Sequence, residues 1–210
     1  MKIIFATGNK NKLREINEIM AGTGYDIVPA SDEGINADPD ENGVSFEENA
    51  LIKARAVYAL SDKKSVVMAD DSGLSVDALG GETGELGIHS ARFLGHDTPY
   101  DVKNKEILDR LKEVPDKERT ARFVCAVAAV LPSGKEIVVR EAMEGFISHE
   151  IAGANGFGYD PIFYLPEFNM TSAEISPEAK NLISHRGKAL RHIRAVLSEL
   201  KDCERGHAGR

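Results

Sequence analysis

Cysteine is scarce. The 210 residues hold two, Cys125 and Cys203, too few to build a disulfide framework. Cys125 lies in an apolar run and reads as a small buried hydrophobe rather than a nucleophile. Cys203 sits in a polar stretch. Both fit a reducing cytoplasm. Long apolar runs are also missing. No stretch approaches the ~18 residues of a membrane span, and the opening MKIIFATGNKNK is too briefly apolar for a signal segment. A surplus of basic charge is absent as well. Lys and Arg number 26 against 34 Asp and Glu, a net charge of −8. That argues against a dedicated nucleic-acid or membrane surface. A small phosphorylated ligand stays admissible where a local group of Lys and Arg, or a metal ion, offsets the global field. No internal repeat and no low-complexity tract occurs.

What is present is ordinary for a globular chain: 42% apolar and 29% charged residues. The length fits one large domain or two tightly joined lobes over residues 1–200. The polar tail at 201–210 is expected to be disordered.

Lys2 to Ala6 reads as a buried strand, Thr7-Gly8-Asn9 as a turn, and Lys10 to Met20 as a helix with Leu13, Ile16, Ile19 and Met20 at helical spacing. Asp26 to Pro29 is a weak strand, and Ser31 to Gly43 an acidic loop. Phe46, Ala50, Ala54 and Val57 mark a helix from about Ser45 to Leu60, with Ser45 and Glu48 fitting a capping box. Ser65 to Ala69 reads as a strand ending in the turn Asp70-Asp71-Ser72-Gly73. A glycine-rich loop, Gly80 to Arg92, precedes a helix at Tyr100 to Leu111. Arg119 to Leu131 and Glu136 to Ile147 form a hairpin around Pro132-Ser133-Gly134-Lys135. A last helix spans about Lys188 to Leu200. The expected fold is α/β: a mixed central sheet flanked by helices, with two lobes, a cleft between them, and the hairpin in the second lobe.

Five stretches carry chemical potential. Thr7, Gly8, Asn9, Lys10, Asn11 and Lys12 turn from a strand into a helix and offer an anion site. The alternative is a plain turn with solvated lysines, and the Walker pattern is lacking. Asp70 and Asp71 are adjacent, so on a strand they point to opposite faces and one of them reaches a cleft. That one is a metal ligand or general base, unless the pair only caps a turn. Glu41 offers a second oxygen to Mg²⁺ and Lys53 reaches a phosphate, against a solvated acidic loop as the bland account. Gly156-Phe157-Gly158-Tyr159-Asp160 presents an aromatic ring between glycines, or packs it in a tight turn. Lys180, His185 and Arg186 form a second basic group before the last helix. Together these suit a nucleoside triphosphate with Mg²⁺.

The motifs ATGNKNKLREI, FEENALIKA, ADDSGL, GIHSARF, GFGYDPIF and SHRGKAL closely resemble the inosine triphosphate pyrophosphatase family, in the family's order and over nearly the whole chain. The resemblance implies hydrolysis of ITP, dITP and XTP by an elongated two-lobed homodimer. It implies that Thr7, Gly8, Asn9 and Lys12 line the phosphate site with Lys53 nearby. Asp71 then acts as metal ligand or base while Asp70 faces away, and Ser72 touches substrate. Phe157, Gly158, Tyr159 and Asp160 form the base pocket, closed by Lys180, His185 and Arg186, and Glu41 matches an acidic position proposed for Mg²⁺. Tyr159 stands where relatives can carry Trp. The rival reading is a non-catalytic nucleotide sensor, which has no use for Asp71. A two-carboxylate glycosidase leaves the lysines unexplained.

Overall fold

A computed structural model describes the backbone of residues 2–207 and the side chains of residues 2–200. Strand β1 (Lys2–Phe5) leads through helix α1 (Lys10–Met20) to β2 (Asp26–Pro29), and α2 (Phe46–Leu60) leads to β3 (Val66–Val76). Both connections return the chain parallel to β1, so β1 lies between β2 and β3. Helix α3 (Tyr100–Arg110) precedes the hairpin of β4 (Thr120–Val130) and β5 (Glu136–Ile147). Short strands β6 (Phe163–Leu165) and β7 (Met170–Thr171) follow, then α4 (Pro177–Ile183) and α5 (His185–His207). The sheet order is β2-β1-β3-β4-β5-β6-β7, parallel on the β1 side and antiparallel from β3 onward.

Alternation along the central strands sorts two cores. Cys125, Val127 and Ala129 pack with Val66 and Met68 beneath Ile16 of α1 and Leu190 and Ile193 of α5. Val124, Ala126 and Ala128 pack with Ala69 beneath Phe46, Ala50 and Ala54 of α2. The two crossover helices therefore cover opposite faces. The carboxyl end of β1 becomes a switch point, where open α/β sheets place their ligand crevice.

Two expectations change. The segment Asp70 to Gly73 is no turn: β3 runs through it, because β4 pairs alongside from Val67↔Val130 to Val76↔Ala121. That pairing carries the sheet without a break into the hairpin, whose Ala121, Phe123, Met143 and Ile147 pack with Leu74, Leu86, Ile107 and Ile162 in a further core. The last helix starts at His185 and continues to His207. Its backbone thus covers residues 201–207 of the tail expected to be disordered, while residues 208–210 lie outside the described residues. Ser45 caps α2 by accepting from the Glu48 N–H, and the Glu48 carboxylate accepts from the Val44 N–H.

Gly73 marks a tight crossing. A Cβ there would lie 2.3 Å from the Gly87 carbonyl oxygen and 2.9 Å from the Phe46 ring. Overpacking of this kind costs about 1–3 kcal/mol. Gly73→Ala is expected to lower the melting temperature accordingly, and an unchanged melt would show that the 87–92 segment yields freely.

Candidate functional site

Strand β1 ends beside Met68, where the Ala6 N–H donates to the Met68 carbonyl at 2.7 Å. Beyond that point β3 has no strand on its β1 side among the described residues, and a cavity of about 720 Å³ opens there. It is lined at one end by Thr7, Gly8, Asn9, Lys12, Glu41 and Lys53, and at the other by Phe157, Gly158, Tyr159, Asp160, Lys180, His185 and Arg186. Asp70, Asp71 and Ser72 lie between the two ends.

The open edge explains a correction. Asp70 and Asp71 do point to opposite faces, yet both line the cavity. Asp70 shares the α5 face with Met68 and Ser72. It pairs with Lys12 at 2.9 Å, with Arg186 at 3.4 Å, and accepts from Ser72 Oγ at 2.7 Å. Asp71 shares the α2 face with Ala69. It pairs with Lys53 at 2.7 Å, and Lys53 reaches Glu41 at 3.1 Å. One oxygen of each carboxylate, Asp70 Oδ1 and Asp71 Oδ2, is buried without a partner among the described residues.

The two acids differ in charge balance. Burial raises the Asp70 pKa, but Lys12, Arg186 and Lys53 outweigh it and hold the carboxyl well below the usual range. Burial also raises Asp71. There Lys53 and Lys12 offset it only in part, so its pKa stays above the ordinary value. Burial lowers Lys53, but Asp71, Asp70 and Glu41 more than compensate, and its ammonium stays charged.

The turn into α1 differs from the expectation in detail. Asn9 caps the helix with its own side chain, accepting from the Asn11 and Lys12 N–H groups at 2.9 and 3.2 Å. Two donors expected to meet an anion are thereby used. Lys10 and Asn11 are exposed and do not line the cavity. Gly8 does, and nothing lies within 4 Å of a Cβ built on it. The protein itself thus has no steric need for glycine there, whereas a ligand passing close to the backbone would.

At the far end the cations are sunk. Side-chain exposure is 17% for Lys12 and 15% for Lys53, but 7% for Lys180 and 3% for Arg186. Lys180 donates to Asp160 at 2.7 Å and to Glu15 at 3.1 Å, and Arg186 donates to Glu15 as well. Arg186 sits in the first turn of α5, a position that disfavours cations. Asp70 and Glu15 compensate it. The Phe157 ring has Lys180 Nζ 5.3 Å and Arg186 Cζ 5.8 Å from its centroid. Asp160 is a buried brace: it accepts from the Phe157 N–H at 2.8 Å and from Ser172 Oγ at 2.9 Å. Tyr159 donates its hydroxyl to the Ser90 carbonyl at 2.6 Å and is a wall of the cavity. His185 stacks on Phe123 at 4.9 Å. Burial, then the charges of Arg186 and Lys180, push its pKa well below the usual value, so the ring is neutral.

Reasoning from the sequence missed Glu15, the buried carboxylate joining Lys180 to Arg186. Its signal is legible. Lys12, Glu15, Ile16, Ile19 and Met20 fall on one stripe of α1, so two charges continue a buried apolar face toward the cavity. Ser172 and Tyr100, also at this end, had no such mark.

A model of the Ham1 family matches residues 3–196. The chain belongs to the Ham1 family. Its membership bears out the resemblance read from the motifs. A protein of Exiguobacterium sibiricum named dITP/XTP pyrophosphatase is 43% identical over 198 residues, 94% of this chain and 98% of that one. One from Treponema denticola with the same name is 46% identical, covering 90% and 95%. Among solved Ham1 structures, the Staphylococcus aureus Ham1 protein superposes with a TM-score of 0.82 at 35% identity, covering 95% of this chain and 99% of its own. The Ham1 fold so shared is the mixed sheet described above.

Proposed function

We propose that this Ham1-family protein is a nucleoside triphosphate pyrophosphatase. It cleaves deaminated purine nucleotides (dITP, XTP and ITP) between the α- and β-phosphates, giving monophosphate and pyrophosphate. The names of its relatives support the reaction and the substrate class. The observation that carries the reading is Asp71. Its Oδ2 is a buried carboxylate oxygen without a partner among the described residues, in the wall of the cavity beside Lys53. A sensor that only binds nucleotide has no use for it.

The triphosphate would lie along Thr7 to Asn9 with Lys12 and Lys53, the less buried cations, over its charges. Asp71 accepts the proton of the attacking water or holds the metal ion. Mg²⁺ fits the donors: it is held by one or two carboxylates together with substrate phosphates, and Asp71 and Glu41 both reach Lys53. Among the described residues no group of three or more His, Cys, Asp or Glu could hold a metal ion, so the phosphates would complete the shell. Bound there, Mg²⁺ neutralises phosphate charge and makes water more acidic. The base would stack on Phe157. A homodimer and a cytoplasmic location are part of the same proposal, from the family resemblance and from the two isolated cysteines. No helix among the described residues is long and apolar enough to cross a membrane.

Product analysis with dITP, XTP, ITP, GTP and ATP in Mg²⁺ tests the reading. Pyrophosphate and monophosphate in equal amounts are expected, with oxopurines lacking the 2-amino group favoured by about 10²-fold or more. Orthophosphate would place attack at the γ-phosphate, and tight binding without turnover would mean a sensor. Two variants separate the ends of the cavity. Phe157→Ala should weaken all purines by about 1–3 kcal/mol, because stacking is blind to the base edge. Lys53→Ala should lower kcat/KM for all substrates by one common factor. A changed ITP to GTP ratio in Lys53→Ala would count against its place at the phosphates.

A further inference from the structure

Helix α3 touches the aromatic loop at one polar point. The Asn104 side-chain amide donates to the Gly158 carbonyl oxygen at 3.1 Å. Asn104 is 3% exposed, far too buried for water to substitute easily. Its amide orientation is settled by that contact, because the reversed amide would set two oxygens against each other. The Gly158 carbonyl belongs to the same peptide unit as the Tyr159 N–H. In a trans peptide the two point in opposite directions, and the chain has no cis peptides among the described residues. Holding the carbonyl toward α3 therefore fixes where the N–H points. The rest of the loop is already engaged: the Phe157 N–H goes to Asp160, and the Asp160 N–H to the Phe157 carbonyl. The Tyr159 N–H has no acceptor among the described residues, and Gly158 and Tyr159 both line the cavity. Left-handed Gly158, at φ 72°, is a flexible place that needs an external hold.

We infer that Asn104 is a positioning residue for base selection: by clamping the Gly158 carbonyl it aims the Tyr159 N–H at an exocyclic oxygen of an oxopurine. This rests on the nucleotide reading above. Adenine presents an amino group at the corresponding edge, so a fixed donor there repels it while it attracts hypoxanthine and xanthine. Tyr100, one turn earlier on α3, packs edge-on against Tyr159 at 5.1 Å and keeps the loop at the helix. Asn104 then contributes direction rather than attachment.

The test compares the full-length protein with Asn104→Ala, using ITP, XTP and ATP. The expected result is a rise of about tenfold in KM for ITP and XTP, the size of one lost hydrogen bond. kcat should stay close to wild type, and the ITP to ATP ratio of kcat/KM should narrow by a similar factor. If Asn104→Ala does not fold, Asn104→Ser gives the same comparison. A folded variant with an unchanged ITP to ATP ratio overturns the inference. So does an equal fall of kcat for all three substrates, which a merely structural role would give. If the wild type turns over none of them, the functional reading fails separately. Equilibrium binding of ITP and ATP to both proteins then decides the role of Asn104 by the same ratio.

Discussion

Asp71→Asn is expected to lower kcat by about 10²–10⁴-fold, the range for loss of a general base. Nucleotide binding should stay within about tenfold of wild type, as expected when the lost interaction is made only in the transition state. The structure adds a second expectation. Burial holds the Asp71 pKa above its ordinary value, so keeping this carboxylate ionised opposes folding. An asparagine of the same shape removes that charge, while Lys53 keeps Glu41 as partner at 3.1 Å. The melting temperature should therefore hold or rise as activity disappears. Single-turnover rates and thermal melts on one preparation check both. A variant that loses stability and activity together would show that Asp71 is mainly structural.

Asp70→Asn should do the reverse to stability. Asp70 is the common partner of Lys12 and Arg186. Removing one member of a buried ion pair leaves charge uncompensated, at a cost of about 3–5 kcal/mol. For a domain of this size 3 kcal/mol corresponds to a fall of roughly 6–12 °C in Tm. Activity should fall too, since Lys12 and Arg186 lose the group that orients them. The resemblance implies an Asp70 that faces away from the site. The open edge of β3 puts both faces in the cavity.

The pH dependence follows from the same pairing. The folded-state pKa of Asp70 is depressed, so its contribution is fully present above the unfolded value of about 3.9 and is lost as pH falls toward the folded value. Acid melts of wild type and Asp70→Asn should converge below about pH 4. Curves that stay parallel to low pH would count against the buried pairing.

Much of this protein is legible in one dimension where local rules decide. Strand, turn and helix at Lys2 to Met20, the α2 face of Phe46, Ala50, Ala54 and Val57, and the β4–β5 hairpin all follow from periodicity and turn chemistry. These are near-neighbour effects, and the motifs carried family membership with them. Other features depended on which segments meet in space. Asp70-Asp71-Ser72-Gly73 has the composition of a turn, yet it is strand because β4 pairs along it. Lys180 and Arg186 read as a free basic group, yet Glu15, 165 and 171 positions away, joins both, and Asp160 and Asp70 supply the remaining countercharge. Asn104 carries no local mark at all; its role arises from packing α3 against a loop 54 residues on. Alternation along β3 assigned Asp70 and Asp71 to opposite faces from sequence alone. Only the early end of β1 made both faces reach one cavity, because where a neighbouring strand stops is set by tertiary pairing and not by the strand beside it.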